Sequence, residues 1–325
     1  MKVLVTGGAG YIGSITTKLL LANNHEVIIL DNLSRGHKAA ILKGTIFIQG
    51  DLVDPAILKK LFIEHRIECV IHFAAASLIE ESVKSPNRYF LNNVVNGVNL
   101  LKAMVENNVL KVIFSSSAAV YGSPDIMPIP ETTQIKPINP YGGTKRIFEN
   151  LLEEYDKACG LKYVTLRYFN VAGAYEEFGE DHRPETHLIP LILKTALGKQ
   201  KDFEIFGDDY DTRDGTCIRD YIHVYDVAIA HLLALKKLAQ VSKIYNLGSE
   251  NGATVKEVFR TACEVTGKQI PTKIVGRRAG DPPILIASSQ KIKKELGWQP
   301  QRTNLKTIIQ DAWSWHQAYP QGYPE

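Results

Sequence analysis

Short apolar runs alternate along the chain with longer stretches in which apolar residues recur every three or four positions. Near-continuous runs of Val, Ile, Leu and Phe are typical of strands buried on both faces of a parallel sheet. Six such runs occupy 2–6, 26–30, 45–49, 69–73, 111–115 and 163–169. The intervening amphipathic stretches predict helices over 11–22, 55–65, 87–107 and 141–158. This alternation predicts an α/β fold with a doubly wound parallel sheet.

After residue 170 the pattern changes, because Gly, Pro, Asp and His become dense and the amphipathic stretches shorten. The run KIYNLGS at 243–249 predicts one more strand that returns to the sheet. We therefore expect a central domain over 1–170 with 216–249. A smaller, interleaved C-terminal lobe that binds substrate would be built from 171–215 and 250–325.

Composition narrows the possible classes of protein. With 325 residues, of which 45% are hydrophobic, the chain can build a large core. The net charge is only +3 and no basic block occurs, so nucleic-acid binding is not expected. The first apolar run is too short for a signal peptide, and no segment is long enough to span a membrane. Four scattered cysteines lack metal-type spacing, so we expect a cytoplasmic protein with reduced cysteines and no metal.

A glycine-rich segment, TGGAGYIG, follows the first predicted strand and opens the first predicted helix. Gly7, Gly10 and Gly13 allow a tight turn and a close approach of the main chain to a pyrophosphate. The free N–H groups of the following helix attract its charge. Because strand, glycines and helix occur in the required order, the segment predicts a Rossmann-type dinucleotide site.

Two acidic residues follow the next strands. Asp31 stands where a carboxylate hydrogen-bonds the adenosine ribose and repels a 2′-phosphate, which favours NAD over NADP. Arg35 nearby weakens that preference slightly. Asp51 follows the third strand, where it could accept a hydrogen bond from the adenine edge or cap the helix at 55–65.

A tyrosine and a lysine are separated by one helical turn in NPYGGTK, at 139–145. Tyr141 and Lys145 would share a helix face. A phenol has a pKa of about 10, and a nearby ammonium and a positively charged nicotinamide would both lower it. Ser117 ends the run FSSS, at the carboxyl end of a strand. These residues predict that Tyr141 is a general base for a sugar hydroxyl, with Ser117 sharing the proton.

The helices predicted at 87–107 and 141–158 carry apolar residues on more than one stripe. Packing on a sheet requires a single stripe, so the surplus apolar surface suggests a second partner. Burial inside a large monomer would explain the same pattern.

Motifs over nearly the whole chain resemble those of the UDP-glucose 4-epimerase family, in the extended short-chain dehydrogenase/reductase superfamily. The glycine and YxxxK motifs identify the superfamily, and the C-terminal motifs are more specific to the epimerases. The resemblance implies tightly bound NAD and interconversion of UDP-glucose and UDP-galactose through a transient 4-keto sugar, with Tyr141 removing the 4-hydroxyl proton. It also implies a homodimer held by a four-helix contact. The motifs are TGGAGYIGS, LDN, HFAA, NNVVNG, FSSSAAVYG, PYGGTK, RYFNVAGA, HLIPLIL, IFGDDYDTRDGTCIRDYIHV, YNLGS, GRRAGDPP and KKELGWQP.

The same resemblance implies binding residues by position. Arg219 and Arg278 would hold the UDP phosphates, and Asp281 the uridine ribose. Other substrate contacts would be Asn170, His187, Leu188, Phe206 and Leu285, together with Ser117 and Tyr141. Cofactor contacts would be Tyr11, Ile12, Asn32, Leu52, Phe73, Ala74, Ala75, Ser77, Asn92, Ser115 and Phe169, in addition to Tyr141 and Lys145.

The chain departs from the family pattern at three positions. Ser77 replaces a common lysine beside the cofactor, Ala119 a common threonine, and His187 a frequent asparagine. Leu285 resembles the residue that controls sugar size, where a large side chain excludes N-acetylated sugars. Leucine is intermediate, so we expect a preference for non-acetylated UDP-hexoses.

Other functions remain as alternatives. The chain could epimerise another UDP-sugar, such as a UDP-N-acetylhexosamine, a UDP-uronate or a UDP-pentose. A nucleotide-sugar dehydratase would need an Asp-Glu pair where Ala118 and Ala119 stand, and alanine cannot transfer protons. A non-catalytic NAD-binding regulator could have lost Tyr141 or Lys145, and both are present.

Overall fold

The computed structural model describes residues 1–238, 242–278 and 281–324. The strands are β1 Lys2–Thr6, β2 Glu26–Asp31, β3 Ile46–Gln49, β4 Cys69–His72, β5 Lys111–Ser117, β6 Lys162–Tyr168, β7 Asn170–Ala172, β8 Phe203–Phe206, β9 Ile218–His223, β10 Lys243–Leu247, β11 Gly252–Thr254, β12 Thr272–Val275 and β13 Ile284–Leu285. The helices are α1 Tyr11–Ala22, α2 Pro55–His65, α3 Ile79–Lys84, α4 Pro86–Tyr89, α5 Asn96–Glu106, α6 Pro140–Cys159, α7 Leu188–Ala196, α8 Val224–Lys237, α9 Val255–Thr266, α10 Gln290–Leu296 and α11 Leu305–Ala318.

The centre of the molecule is a seven-stranded parallel sheet in the order β3-β2-β1-β4-β5-β6-β10. Alternate residues of β1 face opposite layers. Val3 and Val5 pack in a core with residues of α1 and α8, whereas Leu4 packs with residues of α2, α5 and α6. Burial on both faces explains the near-continuous apolar strands. The predicted doubly wound Rossmann-type sheet is therefore confirmed.

Most predicted elements of this sheet occur within two residues of their expected bounds. The helix expected at 87–107 differs, because a six-residue π-helical turn, Phe90–Val95, separates α4 from α5. The run at 243–249 forms β10, which pairs with β6 as expected.

A smaller four-stranded sheet centres on β9, which pairs with β7, β11 and β13. Beside it, β8 and β12 form a two-stranded sheet. Residues of α7, α9 and α11 pack against these strands in a separate apolar core. The expected division into 1–170 with 216–249 and 171–215 with 250–325 stays a prediction. The range 216–249 places β9 in the central domain, but β9 pairs with β7, β11 and β13 of the small sheet and with none of the described strands of the main sheet. Positions 239–241, 279–280 and 325 of those ranges lie outside the described residues.

Within the described ranges, every helix is too short or too polar to cross a membrane.

Candidate active site

The glycine turn lies between β1 and α1, where the strand order of the main sheet reverses. Gly7 has a positive φ of 74°, and its N–H donates to the Leu30 carbonyl oxygen at 2.9 Å. A Cβ atom at Gly7 would lie 2.7 Å from the Ala74 nitrogen, and one at Gly13 only 2.2 Å from the Gly7 oxygen. Only glycine therefore fits either position. No side chain caps α1 at Gly10, which leaves its first-turn N–H groups for an anion.

The carboxylate at the end of β2 is held by the main chain. Asp31 accepts hydrogen bonds from the N–H groups of Ala9 at 3.0 Å and Leu33 at 2.8 Å. Burial raises the pKa of Asp31, and these two N–H groups act against that rise. The side chain of Arg35 pairs with Glu81 at 3.3 Å, so its charge is partly neutralised.

Asp51 follows β3, the strand that pairs with β2. Its Oδ2 accepts from the Asn32 side chain at 2.5 Å, and its Oδ1 from the Val53 N–H at 2.9 Å. The cap of α2 is Asp54, which accepts from Ala56 and Ile57. The alternative that Asp51 caps this helix is therefore wrong.

The tyrosine and lysine share one face of α6, which begins at Pro140. Asn139 caps the helix by accepting from the Gly142 N–H at 2.8 Å. The Nζ of Lys145 lies 5.8 Å from the centroid of the Tyr141 ring and donates to the Ser115 carbonyl oxygen at 2.7 Å. Ser117 ends the neighbouring strand β5 and accepts from the Ala119 N–H.

Burial shifts the pKa values of both Tyr141 and Lys145. Burial raises the pKa of Tyr141, and the hydroxyl of Ser117 acts in the opposite direction. The expectation that a nearby ammonium and a bound nicotinamide lower this pKa stays a prediction. Burial lowers the pKa of Lys145 to about 7, with the carboxylate of Glu149 opposing it. The lysine is thus close to losing its proton at neutral pH.

A buried charged network behind this group was missed by the sequence analysis. Glu149, one turn after Lys145, accepts from Arg167 at 2.7 and 2.9 Å and from the Ser116 hydroxyl at 2.6 Å. Arg167 also donates to the Tyr121 hydroxyl at 2.7 Å. An i, i+4 acid after the lysine, and an arginine inside a predicted buried strand, were the available signals.

Asn93 was also missed, although it lies in the quoted motif NNVVNG. Its side-chain amide accepts from the Ala76 N–H at 2.8 Å and donates to the Ala76 oxygen at 2.9 Å and to the Thr144 hydroxyl at 3.1 Å. The predicted residue Asn92 donates to the Asn93 side chain at 2.9 Å. Asn93 therefore ties the loop after β4 to α6.

The other residues predicted to contact the cofactor lie at the carboxyl ends of the sheet strands or next to them. Phe73, Ala74 and Ala75 directly follow β4, and the Phe73 ring lies 4.8 Å from that of His231. Phe169 follows β6, is buried, and donates its N–H to the Leu247 oxygen. Ser77 is exposed. The remaining two, Ile12 and Leu52, lie on α1 and after β3.

Several predicted substrate residues meet on the two small sheets. Arg219 on β9 pairs with Asp281 at 3.1 Å. Its strand register places it opposite Leu285 of β13, while β7, which begins at Asn170, pairs with β9 two residues further on. The guanidinium of Arg278 lies 4.3 Å above the Phe206 ring. The structure thus brings Arg219 and Asp281 together, whereas the binding of a diphosphate and a ribose by Arg219, Arg278 and Asp281 stays a prediction.

His187 and Leu188 begin α7. The His187 ring makes no capping hydrogen bond, and its Nδ1 lies 2.9 Å from Glu180 and 3.0 Å from Glu185. Burial would lower the pKa of His187, but these carboxylates raise it to about 10. The cofactor-side residue Tyr11 lies near the same segment, since its hydroxyl donates to the Gly173 oxygen at 2.6 Å. Its ring meets that of His182 edge-on at 6.4 Å.

The fold and the site define an enzyme of the extended short-chain dehydrogenase/reductase class. Its marks are a glycine turn typical of dinucleotide binding and a Tyr-x-x-x-Lys pair on one helix. The chain belongs to the NAD dependent epimerase/dehydratase family, whose model matches residues 3–248. It is 51% identical to the UDP-glucose 4-epimerase of Halalkalibacterium halodurans over 327 residues, covering 99% of this chain and 98% of the relative.

The chain is also similar to solved structures of UDP-glucose 4-epimerases. A crystal structure of a UDP-glucose 4-epimerase matches with a TM-score of 0.98 and 51% identity, over 100% of both chains. The UDP-glucose 4-epimerase of Brucella ovis, solved in complex with NAD, matches with a TM-score of 0.94 and 45% identity, over 96% of this chain and 97% of the other.

Proposed function

We propose that this protein interconverts UDP-glucose and UDP-galactose by inverting C4 of the sugar, with NAD as its bound cofactor. The observation that carries the proposal is the placement of Tyr141, Lys145 and Ser117 together at the carboxyl edge of a Rossmann-type sheet. The full-length similarity to UDP-glucose 4-epimerases supports the same reaction.

The turn between β1 and α1 fits NAD, because both Gly7 and Gly13 are too crowded for a side chain and α1 is uncapped. The pyrophosphate would lie on this turn, and Asp31 would accept from the adenosine ribose. Lys145 and the loop after β4 would hold the nicotinamide half. When bound, NAD supplies the acceptor for a hydride from C4 and the donor that returns it.

The proton is moved by residues of this chain. Tyr141 takes the proton of the 4-hydroxyl and later returns it to the 4-oxygen, so the phenol must alternate between its two protonation states. Ser117 hydrogen-bonds the same oxygen and holds it beside the phenol. The ammonium of Lys145 stabilises the phenolate through space, since its own hydrogen bond goes to Ser115.

Epimerisation also requires that the sugar present both faces while the nucleotide stays bound. Arg219 and Arg278 would bind the diphosphate, and Asp281 the uridine ribose, which anchors the part of the substrate that does not react. The rest of the substrate pocket would be lined by Asn170, His187, Leu188 and Phe206. Because the nucleotide is held and the sugar is not, the 4-keto sugar can rotate to present its other face without leaving the site.

We propose non-acetylated hexoses as the preferred sugars, because the half-buried Leu285 packs against the apolar cluster that contains Phe169 and Ala118. A leucine here limits the space for an N-acetyl group. Epimerisation of UDP-N-acetylhexosamines, UDP-uronates or UDP-pentoses is the alternative.

We further propose a homodimer formed by α4, α5, the π-helical turn between them and α6. The support is a row of exposed apolar side chains on these elements: Phe90, Leu91, Val95 and Ile147. Apolar side chains exposed together are typical of an interface. We also propose a cytoplasmic location, in keeping with four cysteines that are all free.

The direct test is to incubate the purified protein with UDP-galactose, without added NAD, and to follow nucleotide sugars by proton NMR. We expect UDP-glucose to form, which would demonstrate 4-epimerisation and a retained cofactor together. Product that forms only after NAD is added would keep the reaction and show that Ser77, in place of lysine, leaves NAD exchangeable. No product in either case would reject this substrate pair.

A further inference from the structure

A second cluster of polar side chains lies between β7 and α7, outside the group that transfers the proton. Glu180, His182, Glu185 and His187 follow one another in the spacing E-x-H-x-x-E-x-H. One nitrogen or oxygen atom of each lies within 4.8 Å of those of the other three. Because all four come from one short segment, bringing them together costs little loop entropy.

The separations match those between the ligands of a small cation. His187 Nδ1 lies 2.9 Å from Glu180 Oε1 and 3.0 Å from Glu185 Oε1. His182 Nδ1 lies 3.2 Å from Glu180 Oε1 and 3.9 Å from Glu185 Oε2. Bonds of about 2.0–2.1 Å to a tetrahedral zinc ion separate its ligands by about 3.3–3.4 Å. These four N–O separations, which involve both oxygens of Glu185, thus lie on either side of the spacing that such an ion requires.

Two of these atoms are buried without a hydrogen-bond partner among the described residues. They are Glu185 Oε2 and His182 Nδ1, whose approach to Glu180 Oε1 at 3.2 Å lacks the angles of a hydrogen bond. The side chain of Glu185 is only 3% exposed and that of Glu180 only 6%. A buried carboxylate oxygen without a partner is unfavourable, so native proteins rarely retain one. This second observation, independent of the spacing, points to a ligand at the centre of the cluster.

The charge of the cluster selects the type of ion. Two buried carboxylates carry two negative charges, which a divalent cation would neutralise. Imidazole nitrogens favour zinc and similar transition metals, whereas Mg²⁺ and Ca²⁺ prefer oxygen ligands alone. We propose that Glu180, His182, Glu185 and His187 bind a zinc ion in a closed, structural site.

Four protein ligands leave a tetrahedral zinc ion no open position for a substrate, so its role would be to position other groups. It would fix His187 and, through it, the start of α7, where Leu188 is a proposed substrate contact. It would also order the segment on which the His182 ring meets the edge of Tyr11, beside the cofactor turn. The ion would thus connect the cofactor and substrate halves of the site.

The test uses the full-length protein, purified without a histidine tag and without chelators, with metal content measured by mass spectrometry. We expect about one zinc per chain. The variant Glu185→Gln should lower zinc affinity by at least about tenfold. Mutating a residue that only hydrogen-bonds a metal ligand already costs about that much, and Glu185 would be a ligand itself. The matched control is Glu177→Gln, in the same segment, because Glu177 is half exposed and pairs with Lys18 at 2.9 Å. The control should keep its zinc.

A second measurement keeps the proposal testable if Glu185→Gln does not fold. Wild-type protein treated with a chelator is titrated with CoCl₂ and then with ZnCl₂. Strong visible absorption of tetrahedral Co²⁺, lost on adding one equivalent of Zn²⁺, would support the site. Its thermal midpoint should rise when Zn²⁺ is restored. Absence of zinc after purification, together with no cobalt spectrum, would overturn the proposal and identify the cluster as a hydrated ion-pair network.

Discussion

The Nζ atom of Lys145 lies 5.8 Å from the centroid of the Tyr141 ring, and its hydrogen bond goes to the carbonyl oxygen of Ser115. The lysine is therefore held by the end of β5, and in the proposed mechanism its charge would stabilise the phenolate through space. Burial lowers the pKa of Lys145 to about 7, and the negative charge of Glu149 opposes this shift.

Replacing Tyr141 with Phe should abolish proton transfer while leaving the ring in place. Loss of a general base typically lowers turnover by about 10²–10⁴-fold. Conversion of UDP-galactose to UDP-glucose, followed by NMR, measures the effect, and NAD released on denaturation shows whether the cofactor is retained. Tyr155→Phe, further along α6, is the matched control. Equal rates for the two variants would remove Tyr141 from its proposed role.

Replacing Lys145 with Met should change how stability depends on pH. Burial lowers the pKa of Lys145 from its ordinary value near 10.5 to about 7. Between these values the unfolded chain binds more protons than the folded one, so the free energy of unfolding rises with pH. This contribution is at most about 1.4 kcal/mol per pH unit. Below about pH 7 both states are protonated and the penalty is constant.

Urea unfolding from about pH 7 to about pH 9 would measure this dependence. Lys145→Met should lack the rise that the wild type shows in this window. Lys157→Met, an exposed lysine at the end of the same helix, should keep it. A wild-type slope equal to that of Lys145→Met would contradict the lowered pKa.

Replacing Glu149 with Gln should destabilise the fold strongly. It would leave the guanidinium of Arg167 buried without its partner, which typically costs about 3–5 kcal/mol. Glu153→Gln, four residues later, is the control, because this partly exposed residue pairs with Arg146 at 3.6 Å and should contribute about 0–1 kcal/mol. Urea unfolding measures the free energy of unfolding of both variants. Similar decreases would show that the buried Glu149–Arg167 pair stabilises the fold no more than the exposed pair does.

The strand and helix pattern predicted the central sheet well, because strands such as β1 are buried on both faces and carry an unbroken apolar signal. The small sheet was not predicted. β9 reads IRDYIH, and its third residue, Asp220, is buried and accepts hydrogen bonds from the N–H groups of Ser249, Glu250 and Ala287. That carboxylate is satisfied only by residues distant in sequence, so local hydrophobicity could not identify the strand.

The residues of the candidate site could also be identified from the sequence only in part. Glycine spacing and the Tyr-Lys pair were visible, since local geometry alone sets them. The partners of Glu149 and Asn93 were not, because they arrive from other strands and loops. The absence of a metal site was expected from cysteine spacing, whereas the cluster of Glu180, His182, Glu185 and His187 uses histidine and glutamate.

Replacing Leu285 with Ser should widen the range of sugars. The change removes apolar volume next to Phe169 and Ala118 and gives an N-acetyl group more space. We expect kcat/KM for UDP-N-acetylglucosamine to rise relative to that for UDP-glucose, by about tenfold, the discrimination that a few methylene groups provide. Coupled assays with each sugar measure the ratio. Comparable wild-type turnover of both sugars would contradict the role given to Leu285.

Replacing Leu91 and Val95 with Glu and Lys should convert the proposed dimer to a monomer. Leu91 is 59% and Val95 48% exposed on the π-helical turn between α4 and α5. Charges at the centre of an apolar interface would be desolvated on association, which weakens binding by several kcal/mol. Light scattering at micromolar concentration measures the mass. Ile63→Glu, at an equally exposed apolar residue of α2, should leave the dimer intact. A monomeric wild type would reject the interface, and a dimer that survives the double change but not Ile63→Glu would move it to the α2 face.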